Sequence, residues 1–126
     1  MKNRYVKLIG FGLCGLLLSG CAYRAPIYQW GGYDALLYQS YKNPEKAVEF
    51  RVGLEKHIAL MEQTKLVVAP GLYAELGTMY LQEGDPKKAV EMYTKERDTW
   101  PESKGLMDAL IKTTEKRIGA NAEVKS

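Results

Sequence analysis

A chain of 126 residues, 46% hydrophobic and 26% charged, is long enough to bury a core and too short for more than one ordinary domain. Its formal charge is +3, from 18 basic and 15 acidic residues, and Lys2, Arg4 and Lys7 equal that excess. No clustered basic stripe follows them, which excludes a nucleic-acid-binding surface of the usual electrostatic kind. In chain order, the basic start leads into an apolar stretch, Leu8–Leu18, of 11 residues. Crossing a bilayer takes roughly 20. A charged start, a short apolar run and small residues at its end describe a secretory signal over residues 1–20. Its removal leaves residues 21–126, with 15 basic and 15 acidic side chains. Cys14 leaves with the signal, so no disulfide and no thiolate metal site is expected in the domain.

Residues 21–32 read as a tether, with Pro26 and the Gly31-Gly32 pair as breakers. A short helix is expected over Tyr33–Tyr41. Asn43-Pro44 then supplies a capping side chain followed by proline in a first turn. The next helix runs to Thr64, with Ala47, Phe50, Leu54, Ile58 and Met61 on one face at steps of three and four. Residues 65–69 connect it to a helix over Leu72–Gln82, opened by Pro70-Gly71. Gly84-Asp85-Pro86 is a turn in which Asp85 caps a helix reaching Thr99. Trp100-Pro101 ends that helix, a last one spans Glu102–Ile118, and the polar tail 119–126 is expected to fray. The pattern predicts an all-α fold of about five helices in antiparallel hairpins over residues 33–118, with no strand.

Three resemblances follow. Leu18-Ser19-Gly20-Cys21 resembles the lipobox of bacterial lipoproteins, which implies that Cys21 is lipidated by acyl chains such as palmitate and begins the mature chain. Ala22 in place of Asp after it implies, by analogy, the inner leaflet of the outer membrane, facing the periplasm. Lys46-Ala47-Val48-Glu49 recurs as Lys88-Ala89-Val90-Glu91. Around the second copy, Tyr73, Leu76, Gly77, Tyr80, Gly84-Asp85, Ala89, Tyr93 and Pro101 resemble a tetratricopeptide repeat. Glu96 departs from that pattern, where a small residue is usual. Finally, Tyr28-Gln29-Trp30-Gly31-Gly32-Tyr33, Tyr41-Lys42-Asn43-Pro44, Pro70-Gly71-Leu72-Tyr73-Ala74-Glu75 and Trp100-Pro101-Glu102-Ser103 resemble a family of small Gram-negative lipoproteins carrying a domain of unknown function. Members are typically encoded beside a lipoprotein similar to the curli secretion channel. The resemblance implies a shared envelope assembly with that kind of partner, and no activity.

Chemistry is sparse. His57 is the only histidine, which excludes a two-histidine metal site, and it falls at the edge of an apolar face, as a structural histidine does. Glu75 and Glu83, eight residues apart, are spaced for a solvated helix face; read as acids, they carry the alternative of an envelope hydrolase or glycan-binding accessory. No cofactor and no metal is expected. Tyr28, Trp30, Tyr33, Tyr38 and Tyr41 gather five aromatics near the tether, a density found in binding hot spots. Core packing competes for them, with Tyr33, Leu37 and Tyr41 inward, Trp30 over the hairpin's end and Tyr38 outward. Trp30, Tyr38 and the first-helix positions Glu75, Thr78 and Met79 are the expected partner-binding residues. The function expected is a non-enzymatic adaptor or assembly factor for an envelope or secretion complex, held to the membrane through its N-terminal lipid.

Overall fold

Proline and glycine punctuate this chain at nearly every place where a helix begins. In a computed structural model, which describes residues 26–123, five α-helices result: α1 Tyr33–Lys42, α2 Ala47–Gln63, α3 Leu72–Gln82, α4 Pro86–Thr99 and α5 Lys104–Glu123. The signal segment, Cys21 and residues 124–126 lie outside the described residues. Among those described there is no strand, and no helix is long and apolar enough to cross a membrane.

The helix ends follow local chemistry. Asp85 accepts a hydrogen bond from the Lys88 amide at 3.1 Å and Pro86 takes the first helical position of α4. The α3 end before it is a Schellman turn: Asp85 N–H reaches Tyr80 O at 2.8 Å and Gly84 N–H reaches Leu81 O at 3.3 Å, with Gly84 at φ 84°. The same turn ends α2, where Leu66 N–H reaches Met61 O at 2.9 Å. There the left-handed position is Lys65, at φ 56°, a conformation that glycine adopts at less cost. Asn43 does not cap with its side chain as expected. Its carbonyl accepts from Lys46 N–H at 2.8 Å, closing a 3-10 turn over Pro44–Lys46 so that α2 begins at Ala47. A second 3-10 turn, Pro101–Ser103, precedes α5, which continues to Glu123, past the Ile118 at which fraying was expected.

The helices pack as antiparallel hairpins: α1 against α2, α3 against α4, and α5 along the far side of α4. Phe50, Leu54, Ile58 and Met61 of α2 meet Leu72, Leu76 and Tyr80 of α3, with Val68 and Ala69 of the connector sealing one end. Ala47 is exposed, against expectation. The close approach of α1 to α2 lies six residues further on at Gly53, where a Cβ would stand 2.6 Å from Leu36 Cδ1. Between α3 and α4 the close approach is at Gly77. A Cβ there would sit 2.8 Å from the Tyr93 ring and 3.1 Å from the Ala89 carbonyl oxygen, so no larger residue fits without movement.

Glu96 on α4 is 1% exposed. Its Oε1 accepts from the Gly71 amide at 2.8 Å, at the start of α3, and from Ser103 Oγ at 3.3 Å, in the turn before α5. Gly71 lacks a side chain to cap α3 and stands at φ 89°, so a carboxyl oxygen from another helix satisfies its amide. The first amides of a helix have no partner within it, and this one finds its acceptor on another helix.

Glu96→Ala is expected to cost about 2–4 kcal/mol, the sum of an orphaned amide and a cavity, while Glu96→Gln, which keeps an acceptor and the volume, costs under about 1.5 kcal/mol. Urea unfolding of the domain measures both, and equal losses would show that shape alone matters. Lys65→Gly should raise stability by up to about 1 kcal/mol in the same assay, by relieving the left-handed backbone.

Candidate partner-binding surface

The tether enters the fold through a run of ring contacts. Tyr28 meets Trp100 edge-on at 5.5 Å, Trp30 lies against Tyr33 at 6.1 Å, and Tyr33 lies against Phe50 in the core at 5.6 Å. His57 fastens the same segment. It is buried, and its Nε2–H donates to the Gln29 carbonyl at 2.9 Å. Gly31 passes so close that a Cβ there would overlap the imidazole. Burial, assisted by the charges of Glu75 and Asp34, raises the Tyr33 hydroxyl above its ordinary range.

Helix α1 has no fully buried residue. Tyr33, Leu36 and Ser40 turn toward α2, a register one residue away from the Tyr33–Leu37–Tyr41 stripe expected to face inward. The contact of Leu36 with Gly53 sets this register, because the methyl groups of Leu36 fill the space that a larger residue at 53 would take. Leu37 and Tyr41 therefore face out with Tyr38, at steps of one and three along one side of the helix. Tyr38 is 59% exposed and Tyr41 87%. Lys42 Nζ hangs 4.8 Å from the Tyr38 ring centre, a cation over an aromatic face. Trp30 keeps 40% of its surface in solvent despite its contact with Tyr33.

The second expected surface is smaller than anticipated. Glu75 is half-buried and Thr78 is exposed, its hydroxyl within 3.0 Å of the Ala74 carbonyl and 3.1 Å of the Tyr93 hydroxyl. Met79 is 8% exposed and belongs to the core, so it offers nothing to a partner. The reason is that α3 lies between α2 and α4, and apolar residues on both its flanks are covered.

Charged residues on the outer helix faces do more than keep the protein in solution. Glu55 and Glu62 stand seven residues apart on α2 and accept hydrogen bonds from Tyr80 and Tyr73, seven residues apart on antiparallel α3; the Tyr73–Glu62 bond is 2.9 Å. Arg51 joins Glu55 at 2.6 Å and Glu83 at 2.8 Å, and Lys95 of α4 reaches Glu62 at 2.8 Å. Glu83 is thus engaged by a guanidinium and does not stand free as the hydrolase alternative asks. Among the described residues no group of three or more His, Cys, Asp or Glu side chains is placed to hold a metal ion. The sequence analysis did not single out Arg51, Glu55, Glu62 or Lys95; the matched seven-residue spacings were the available signal.

These contacts set the pH response. Burial, then the bond to Glu55, pushes Tyr80 up to about 12; burial and the bond to Glu62 raise Tyr73 as well. A phenol with a raised folded pKa adds stability below its ordinary value near 10 that is lost as pH climbs through the folded value. The Lys95 ammonium, and then Tyr73, hold Glu62 below the usual carboxylate range, a contribution lost as pH falls through that lowered value. Ultraviolet titration of tyrosinate should therefore show late-ionising tyrosines whose ionisation coincides with loss of helical circular dichroism, and Tyr80→Phe should remove one of them. In acid, Lys95→Met should flatten the decline in stability by under about 1 kcal/mol, since the pair is largely exposed.

Comparison with known families places this geometry. A family model described as a domain of unknown function (DUF4810) matches residues 27–110, from the aromatic entry of the tether to the middle of α5. No curated protein and no solved structure matches the chain. The match takes in α1, both hairpins, the Glu96 tie and most of the surface just described, and the chain belongs to the DUF4810 family.

Proposed function

We propose that this chain is a lipid-anchored, non-enzymatic adaptor of the Gram-negative outer membrane, tethered through Cys21 on the periplasmic side and holding a protein partner of an envelope or secretion complex. The observation that carries the reading is the outer side of α1. Leu37, Tyr38 and Tyr41 lie exposed on a helix whose main packing partner among the described residues is α2. Rigid aromatic side chains on one helix side are the usual material of a binding hot spot. The far edge of the stack is covered by α5, whereas α1 leaves the near edge open, and stacked helical hairpins require such an edge to be capped or occupied.

The tetratricopeptide-like reading of residues 70–103 supports a binding scaffold. Gly77 and Ala89 let α3 and α4 close together and Tyr93 fills the crossing, the tasks those residue types have in such repeats. The anchor rests on Leu18-Ser19-Gly20-Cys21. Twelve residues separate Cys21 from Tyr33, at most about 40 Å when extended, so the domain works within reach of a neighbouring membrane complex. A lipoprotein like the curli secretion channel is the partner that the family resemblance implies.

Crosslinking in intact envelopes, with mass spectrometry of what the lipoprotein captures, tests this. The double change Tyr38→Ala and Tyr41→Ala should leave stability within about 0.5 kcal/mol, because both side chains are exposed, yet weaken partner capture by about 30-fold or more. Unchanged capture would refute the surface. Cys21→Ser should release the protein from membranes, and continued association would refute the anchor.

A further inference from the structure

An exposed apolar region separate from the α1 strip lies where the tether meets the helices. A cleft of about 310 Å³ opens between the entering chain and the α2–α3 connector. Ile27 forms one lip and Leu66 and Val67 the other, with Met61 of α2 and the ring of Tyr28 behind them. Met61 is buried and Tyr28 half-buried, but the lips are not: Ile27 is 90% exposed and Val67 58%. Lys65, which precedes them, is exposed and makes no ion pair among the described residues. Apolar side chains at this density beside an uncompensated cation form an amphipathic edge of the kind that lies in a bilayer interface, with the cation among anionic headgroups.

We infer that this edge rests on the lipid bilayer, so that the membrane is its occupant and the domain is held in one orientation. The inference depends on the lipid anchor at Cys21. Six residues separate Cys21 from Ile27, a span of at most about 20 Å, which confines the edge to the membrane's immediate neighbourhood. A leash that short turns a weak apolar contact into an intramolecular one, at an effective concentration no free partner attains. Area argues against a second copy of the chain. Three exposed side chains offer a few hundred Å² at most, where a stable interface buries on the order of 1,000 Å².

The orientation has a consequence for the adaptor surface. Met61 is at the membrane end of α2, and that helix is 17 residues long, about 25 Å. α1 runs antiparallel to it, from the Gln29–Gly31 segment against His57, through Leu36 against Gly53, to the Asn43–Lys46 turn that precedes Ala47. Tyr41, next to that turn, is thus carried to the end away from the bilayer. The Gly84-Asp85 turn lies at the same end, since Glu83 pairs with Arg51 near the start of α2. The lipid edge grips below and the aromatic strip is presented above.

The test uses full-length protein, matured in cells and reconstituted into vesicles of phosphatidylethanolamine and phosphatidylglycerol. Intact mass first establishes acylation of Cys21. An environment-sensitive fluorophore is placed at Val67→Cys or, as reference, at Lys87→Cys. Emission from position 67 should shift to the blue and be quenched by nitroxides on lipid headgroups, while position 87 keeps its aqueous spectrum. The change Ile27→Asp with Leu66→Asp should return the position 67 spectrum to aqueous without altering the thermal unfolding midpoint. Acylated protein with aqueous emission at both positions would overturn the orientation and leave the anchor standing. A blue shift that lipid-borne quenchers cannot reach would put a second copy on the edge and overturn it too. Protein without acyl mass would overturn the anchor and this inference together.

Discussion

The fold turns on one buried carboxyl group. Glu96 is almost wholly removed from water, and a single oxygen of it accepts from the amide that begins α3 and from the hydroxyl in the turn before α5. Three consecutive helices therefore have their ends on one side of the molecule tied to one residue. The arrangement answers a local deficit: Gly71 lets the chain turn sharply into α3 but brings no side chain to satisfy the helix end. A group in the last turn of α4 supplies it, so the angle between α3 and α4 at this end is held by a hydrogen bond as well as by packing. At the crossing of those helices Gly77 and Ala89 are small, and Tyr93 occupies the space that they leave.

Around that hairpin burial falls off toward the N-terminal edge. The α3–α4 and α4–α5 contacts are the most extensive and the α2–α3 seam the least, joined by the α2 apolar face and two tyrosine–glutamate bonds, while α1 adds a single partly buried row. Elements with few buried apolar contacts open first and are the ones that partners recruit. The gradient explains why the aromatic surface sits on α1. A helix held by Tyr33 and Leu36 alone has most of its circumference free, and Leu37, Tyr38 and Tyr41 occupy the part that α2 does not need.

The entry of the tether is more ordered than a linker to a lipid anchor requires. His57 binds the Gln29 carbonyl, Gly31 passes against its ring, and Tyr28 packs on Trp100 at the end of α4. Segment 28–33 is thus part of the domain, and the free length of chain between Cys21 and the folded body is shorter than the distance to α1 indicates. With the anchor proposed at Cys21, a short leash would limit how the body can face the membrane and would link the apolar edge at Ile27 and Val67 and the position of the aromatic strip into one geometry.

Most of the architecture was legible residue by residue, because its signals are local. Asp85-Pro86 caps α4, Gly84 closes α3, and the prolines at 44, 86 and 101 stand at helix starts, where a missing N–H costs nothing. The spacing of Phe50, Leu54, Ile58 and Met61 likewise predicts their burial. What depends on the neighbouring helix was not legible. Leu36 rather than Leu37 faces inward because Gly53 opens space for it, Met79 is buried because α3 has helices on both flanks, and Ala47 is exposed because the close approach lies further along α2. Glu96 is the clearest case. Its sequence context offers only a charge where a repeat has a small residue, and its role exists only once Gly71, 25 positions earlier, is folded against it. Local propensity determined where the helices begin and end; their rotation about their own axes was decided by tertiary packing, since which side of a helix is covered depends on what lies opposite.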